Sequence, residues 1–151
     1  MPFPYLTLPQ SPNLLMLPTK PYLTQAYVQK ILDAANQYAI QNRHIVAIAV
    51  CDDGGHLLGL IRRDGCQPVS SYFAQEKART AAMGKRETKA YEDMINKGRH
   101  AFLSAPHITM MLEGGVNIVV DGHTIGAVGV SGVKNGEDGN TARAGIAAIL
   151  N

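Results

Sequence analysis

The sequence has few of the residues that mark a disulfide scaffold, a zinc site or a nucleic-acid-binding surface. It contains two cysteines and no tryptophan in 151 residues, and neither cysteine belongs to a CxxC or Cys/His pattern with zinc spacing. A net charge of +2 is too small to indicate nucleic acid or an anionic membrane as a partner. We expect Cys51 and Cys66 to be free thiols; a disulfide between them across a hairpin is the alternative.

Long apolar runs are also missing. No run approaches the roughly 18 residues of a membrane span, and prolines interrupt the N-terminal region where a secretory signal needs an unbroken apolar stretch. Charged residues make up only 17% of the chain, which indicates that part of the surface is covered in a homo-oligomer. The sequence therefore predicts a cytoplasmic enzyme or binding protein.

Proline and glycine are each nearly absent from the part of the chain where the other is common. Six of the eight prolines lie in residues 2–21, and all fifteen glycines lie at or after Gly54. Because proline interrupts a helix, residues 1–23 are predicted to be an extended arm, followed by a single domain over residues 24–151. The apolar patch Leu14–Leu17 would lie along the domain or reach a neighbouring subunit.

The segment Glu113–Gly132 carries the strongest local signal. Two β-rich runs, Val116–Val120 and His123–Val130, flank Asp121-Gly122, a dipeptide typical of a two-residue hairpin turn. Glycine within a strand is destabilising unless a backbone, a helix or a ligand must approach closely, and this hairpin holds several. We therefore expect it to form the floor of a binding site or a tight subunit contact.

The remaining periodicity predicts an α+β fold. Strand pairs joined by tight turns favour an antiparallel sheet over a parallel βαβ array. The predicted elements are a helix over about Gln25–Asn42 capped by Thr24, a hairpin of Ile45–Cys51 and His56–Arg63, helices over about residues 70–83, 87–97 and 138–150, and a polar turn at Asn135–Asn140.

Two polar clusters precede the second hairpin. Asp52 and His56 lie at the first turn, where aspartate also serves the turn itself. Lys77 and Arg79 lie on the following helix. Lys77 shares a stripe with apolar residues, so its ammonium is expected to reach an interior cavity suited to a carboxylate; a solvated helix face is the alternative.

The third cluster borders the second hairpin and consists of Glu113, Gly114, Gly115 and Ser131. Backbone N–H groups beside glycines can bind an anion. The chain has no P-loop, dinucleotide fingerprint or GxSxG elbow, which argues against nucleotide binding and serine hydrolysis.

Histidine offers a further possibility, because a neutral ring nitrogen can ligate haem iron. No histidine pair has helical metal-binding spacing, so each remains a candidate alone, and His56 is the best placed for a pocket. The five histidines are His44, His56, His100, His107 and His123.

Four motifs occur together in one order: VAIAVCDDGGHLLGLIRRDG, YFAQEKARTAAMGKRETKAYEDMINKGR, LEGGVNIVVDGHTIGAVGVSG and a final helix with an acidic start. Through these motifs, residues 24–150 resemble the GlcG/HbpS family, also known as the haem-degrading or DUF336 domain, and its GlcG branch in particular. The resemblance implies a profilin-like fold, with a five-stranded antiparallel sheet between helical layers, and assembly into homo-oligomers, including octamers.

The same resemblance implies a function. Some members of the family bind haem, and the GlcG branch is encoded with glycolate-utilisation genes. We therefore expect a small homo-oligomeric protein that binds haem or a similar carboxylate-bearing molecule. The alternatives are an enzyme acting on a small organic acid of glycolate or related catabolism, and an accessory subunit of such a pathway.

Each alternative assigns different roles to the candidate residues. For a binding protein, Arg63 and Lys77 would pair with ligand carboxylates, glycines 114 and 115 would allow close approach, and His56 would ligate iron. For an enzyme, Glu113 or Asp52 would be the base, while Lys77 and Arg79 would hold the substrate carboxylate; such groups must converge in one cleft.

Overall fold

The structure, a computed structural model, describes residues 16–134 and 136–150. Most of the predicted N-terminal arm (residues 1–15), including Leu14 and Leu15 of its apolar patch, and Asn135 of the predicted polar turn lie outside the described residues. The described residues form an α+β fold. Its elements are α1 (Gln25–Gln41), β1 (Ala47–Asp52), β2 (Leu57–Arg62), α2 (Val69–Gly84), α3 (Thr88–Asn96), a 3₁₀ turn (His100–Ser104), β3 (Gly115–Val120), β4 (His123–Ser131) and α4 (Glu137–Leu150).

The sheet has four strands in the order β2-β1-β4-β3, and every neighbouring pair is antiparallel. The expectation of five strands was wrong for the described residues. The segment between α3 and β3 forms a 3₁₀ turn followed by irregular backbone. Pro106 lacks an N–H to donate to a ladder, and the following residue, His107, has a φ of 69°, which is incompatible with an extended strand.

The two faces of the sheet pack against different helices, because successive side chains of a strand point to opposite faces. Large aliphatic residues of β1, such as Ile48 and Val50, join α1 and α4 in the main core. The small residues Ala47 and Ala49 face α2. The result is three layers: α1 with α4, the sheet, and α2.

Glycines of the second hairpin allow α2 to lie close to the sheet. A Cβ on Gly129 would lie 2.0 Å from the carbonyl oxygen of Ala74, and one on Gly115 would lie 2.4 Å from that of Lys77. The element that approaches these two glycines is therefore a helix of the same chain, and not the ligand or neighbouring subunit that the sequence predicted there.

The local turn and cap predictions are confirmed. Asp121 and Gly122 have φ values of 49° and 77°, as a two-residue hairpin turn of this kind requires. The Thr24 hydroxyl accepts a hydrogen bond from the backbone N–H of Tyr27 at the start of α1. Cys51 and Cys66 are free and buried. Within the described residues, none of the helices combines the length and the apolar character that crossing a membrane requires.

Candidate functional site

A cavity of about 550 Å³ lies where the end of β4, α2, α3 and the start of α4 meet. Its size falls within the range of small-molecule sites. The lining is mostly charged, with three lysines and three carboxylic acids: Lys77, Lys89, Lys134, Glu92, Glu113 and Asp138, together with Leu112, Val133 and Gly136. We call this space the Glu113 cavity.

Lys77 and Asp138 form a buried ion pair in the wall of the cavity. Nζ of Lys77 donates to Oδ2 of Asp138 at 3.0 Å and to the carbonyl oxygen of Val130 at 2.9 Å. The other carboxylate oxygen of Asp138 accepts the N–H of Val133. Burial raises the pKa of Asp138, and the charge of Lys77 opposes that rise. The sequence indicated Asp138 only as the acidic start of a helix, so its pairing with Lys77 was missed.

Glu113 lies beside this pair and is partly buried. Its Oε1 accepts the N–H of Gly139 at 2.6 Å, in the first turn of α4, while its own N–H donates to Oε2 of Glu92 at 2.8 Å. Burial is the largest cause that raises the pKa of Glu113, and the negative charge of Asp138 adds to it. The structure thus places a half-buried carboxyl group next to a buried ion pair.

Gly114 is needed for this arrangement. Its φ is 121°, and a Cβ would lie 2.5 Å from the carbonyl oxygen of Val130 and 2.9 Å from Nζ of Lys77. The N–H of Gly115 is donated to the Thr88 hydroxyl at 2.8 Å, so it is already engaged. The predicted anion-binding role of these glycines stays a prediction, while their packing role is visible.

Ser131 and Arg63 lie at the same end of the sheet as the cavity. Ser131 is buried at the end of β4, where it pairs with Ala47. Arg63 follows the edge strand β2, and its guanidinium donates to the carbonyl oxygen of His44. Arg63 is not among the residues that line the cavity, whereas Lys77 is.

His56 and Asp52 lie at the opposite end of the sheet. Ala47 of β1 pairs with Ser131, next to the cavity, whereas Asp52 pairs with Gly126. Five steps of about 3.3 Å separate the two ends of β1, so the turn is roughly 16 Å away along the strand. The sequence suggested one pocket, but the structure divides its candidate residues between two places.

The cluster around His56 has its own geometry, and we call it the His56 turn: Asp52, Gly55, His56, Arg79 and Met83. Nδ1 of His56 lies 3.2 Å from Oδ1 of Asp52, and 79% of the histidine side chain is exposed. Asp52 also accepts the backbone N–H groups of Gly54 and His56, the turn role expected of it. A Cβ on Gly55 would contact Arg79 and Met83 of α2, so Arg79 lies here rather than at the cavity.

Comparisons with known proteins agree with the motifs. Residues 23–147 match the family described as haem degrading protein HbpS-like. The chain is 58% identical over 113 residues to Protein GlcG of Escherichia coli K12, covering 75% of this chain and 84% of that protein.

Two solved structures share the fold. The crystal structure of an HbpS double mutant from Streptomyces reticuli has a TM-score of 0.81 at 28% identity, covering 96% of this chain and 99% of that chain. The crystal structure of a PduOC–haem complex has a TM-score of 0.76 at 28% identity, covering 85% and 96% of the respective chains. With a match over residues 23–147 and a relative of 58% identity, the chain belongs to the HbpS-like family.

Proposed function

We propose that this protein binds a carboxylate-bearing molecule and that the Glu113 cavity receives the carboxylate. The observation that carries the proposal is a space of about 550 Å³ that is lined by three lysines and borders the first turn of α4. Lysine ammonium groups are strong donors to carboxylates, and a helix N-terminus favours negative charge.

The three lysines differ in how strongly their ammonium groups are already paired, and therefore in their ability to bind a ligand. Lys77 is fixed by Asp138 and the carbonyl of Val130. Lys89 pairs with Asp93, and both of these side chains are about half exposed; such pairs contribute little, so Lys89 can change partner. Lys134 is exposed at the cavity and pairs with no carboxylate in the described ranges. Lys89 and Lys134 are therefore the ligand-binding cations, and Lys77 supports the wall.

The small-ligand proposal has a direct test. Titration of ¹⁵N-labelled protein with propionate should shift the amide signals of Val133 and Gly139, which border the cavity. Lys134→Gln should weaken the binding several-fold. Lys97→Gln, which removes the same charge at an exposed position outside the cavity lining, should leave it unchanged. Absence of saturable shifts at any pH would reject a carboxylate site here.

Haem is one carboxylate-bearing candidate, supported by the family description and by the structural similarity to the PduOC–haem complex. The cavity lining fits a propionate arm better than a porphyrin ring. Only Leu112 and Val133 offer apolar side chains of any size, and no histidine is among the lining residues that the structure describes. A haem iron would need a ligand from another part of the molecule.

The His56 turn has the features of an axial ligand site. A metal-ligating histidine commonly donates its second ring N–H to a carboxylate, which fixes the tautomer. Asp52 occupies that position at Nδ1 of His56, which leaves Nε2 for iron, and Arg79 lies beside the turn to pair with a propionate. Bound haem would supply redox-active iron, while His56 and Asp52 would hold and orient it.

Haemin titration followed at the Soret band tests this second candidate. A saturable shift that is lost in His56→Ala and kept in His123→Ala, another exposed histidine next to a hairpin turn, would support it. Unchanged affinity in His56→Ala would remove His56 as the ligand. No shift in a correctly assembled protein would leave the small-carboxylate proposal standing alone.

Enzymatic action on a small organic acid is the alternative function. The observation that favours it is the half-buried Glu113 beside the Lys77–Asp138 pair, since perturbed carboxyl groups in clefts are candidates for acid–base catalysis. Asp52 and Arg79 lie at the other end of the sheet, so Glu113 and Lys77 are the members of the predicted set that share the cleft. Turnover of small 2-hydroxy acids, followed by NMR and lost in Glu113→Gln, would support an enzyme; binding without turnover would oppose it.

Homo-oligomer formation and a cytoplasmic location stay predictions. Exposed apolar side chains on β2 and the adjacent α2 support self-association, including Leu58, Leu60, Tyr72 and Phe73. Light scattering on purified protein gives the assembly mass. Co-purification with other proteins of a catabolic pathway would instead favour the accessory-subunit alternative.

A further inference from the structure

We infer that a carboxylate ligand enters the Glu113 cavity together with one proton, which Glu113 holds and shares with the ligand. The inference rests on the proposed function, because it concerns the same cavity. It adds a specific role for Glu113 and predicts that acid promotes binding. The proton comes from solvent and returns to solvent on release, so no covalent bond forms or breaks in the ligand.

The charges of the cavity are balanced before a ligand arrives. Its lining carries three lysines and three carboxylic acids. Before a ligand binds, Lys77 pairs with Asp138, and Lys89 pairs with the half-exposed Asp93, which a ligand can replace. A ligand carboxylate would bring a further negative charge into a partly desolvated space, where like charges at short distance favour protonation of one partner.

Among the three carboxyl groups, Glu113 is the one placed to take the proton. Both carboxylate oxygens of Asp138 are already engaged, one by Lys77 and the other by the Val133 N–H. Glu92 accepts the N–H of Glu113 from α3, whereas Glu113 precedes Gly114, whose Cβ position lies 2.9 Å from both Nζ of Lys77 and Cβ of Asp138. Oε1 of Glu113 accepts the Gly139 N–H, whereas its Oε2 receives no hydrogen bond from any residue that the structure describes. A proton on Oε2 can be donated to a ligand oxygen.

The groups around Glu113 come from every element that packs there. Lys77 belongs to α2, Lys89 and Glu92 to α3, Lys134 to the segment after β4, and Asp138 to α4. Arg143 lies one turn further along α4, and its Nη1 is 3.1 Å from the point where a Cβ on Gly139 would lie. Its Nη2 pairs with Glu87. None of these cations is paired with Glu113. Burial, the largest cause, raises the pKa of Glu113 against the opposing effects of the Gly139 N–H and the Lys77 charge. The net direction favours proton uptake.

Binding should therefore strengthen as the pH falls. If one proton is taken up, the affinity for propionate rises about tenfold per pH unit between the pKa of Glu113 in the complex and its lower pKa in the free protein. The experiment follows the Gly139 amide during propionate titrations of the full chain from pH 8 to pH 5.5. Calorimetry in buffers of different ionisation enthalpy counts the protons taken up, independently of any variant.

Two variants assign the proton. Glu113→Gln places a neutral amide that can donate to the ligand without a proton from solvent, so it should bind at least as tightly as the wild type at pH 8 and lose the pH dependence. Glu76→Gln is the control, because it removes a carboxyl group on α2 that lies outside the cavity lining and accepts a hydrogen bond from the Thr109 hydroxyl. This variant should keep the wild-type slope.

Each result has a defined meaning. A slope near one decade per pH unit that disappears in Glu113→Gln, with about one proton counted by calorimetry, supports the inference. Propionate binding with no pH dependence, no proton uptake, or an unchanged slope in Glu113→Gln overturns the inference and leaves the proposed function intact. Failure of propionate to bind at any pH overturns both.

Discussion

Nζ of Lys77 lies 3.0 Å from Oδ2 of Asp138, and the two side chains are only 4% and 5% exposed. Residues 61 positions apart are thus joined inside the protein. A buried ion pair stabilises little unless further hydrogen bonds satisfy both groups. Here the carbonyl of Val130 and the N–H of Val133 provide those bonds.

Lys77→Met should lower the free energy of unfolding by about 3–5 kcal/mol, because it leaves the carboxylate of Asp138 buried without its cation. Urea unfolding followed by circular dichroism measures the loss. The double variant Lys77→Met/Asp138→Asn removes the unpaired charge and keeps an oxygen for the Val133 N–H, so it should recover part of the stability. A double variant no more stable than Lys77→Met would contradict this explanation of the loss.

Gly129→Ala should destabilise the protein by about 1–3 kcal/mol or more. Its Cβ would lie 2.0 Å from the carbonyl oxygen of Ala74 and 2.5 Å from the N atom of Ala78, so α2 must move away from the sheet. Gly59→Ala is the matched control, since its Cβ would meet side-chain atoms of Leu32 and Val28. Thermal unfolding should show the larger loss for Gly129→Ala, and equal losses would refute the role of backbone contact.

Glu113 should make the stability of the protein depend on pH. Its pKa is raised in the folded protein, chiefly by burial, above a value of about 4.3 in the unfolded chain. Folding therefore favours the protonated carboxyl: this contribution is full below the unfolded pKa and is lost as the pH rises through the folded pKa.

The corresponding measurement compares wild type with Glu113→Gln. The stability of the variant relative to wild type should increase from acid to neutral pH, and urea midpoints at several pH values measure the trend. Asp138, whose pKa is also raised, is present in both proteins, so its contribution largely cancels. A difference that does not change with pH would oppose the prediction.

Cys51 should be unreactive in the folded protein. Burial raises the pKa of its thiol to about 12, and the thiolate is the reactive form. In a Cys66→Ser variant at pH 8, iodoacetamide should label Cys51 only as fast as the protein unfolds, with the rate rising in urea. Rapid labelling without urea would show that the site is open.

Local sequence signals predicted most of the elements correctly because their causes are local; the polar turn predicted over Asn135–Asn140 was wrong for residues 137–140, which belong to α4. The Asp121-Gly122 turn needs only residues that tolerate positive φ, and Thr24 caps a helix that begins at the next residue. The glycines of the second hairpin indicated a close approach, which α2 makes at Gly115 and Gly129. The number of strands came from the family resemblance instead, and the described residues show four.

The site was harder to predict because its contacts are distant in sequence. Nothing near Asp138 indicates Lys77 as its partner, since that contact exists only once α2 and α4 pack at the same end of the sheet. His56, Arg63 and Lys77 were grouped because they flank or follow one hairpin. The length of β1 separates His56 from the cavity, and Arg63 lies outside the cavity lining. Neither position is visible in residue types alone.

Glu113, Lys77 and Asp138 belong to parts of the chain that meet only when both helical layers are docked on the sheet. Lys77 comes from the layer on one face, and Asp138 from the layer on the other. A molecule in the cavity would touch both layers, so its binding energy would resist their separation. A bound ligand would therefore hold the two helical layers together across the sheet. Hydrogen exchange in α2 and α4 should then slow together when the ligand is present.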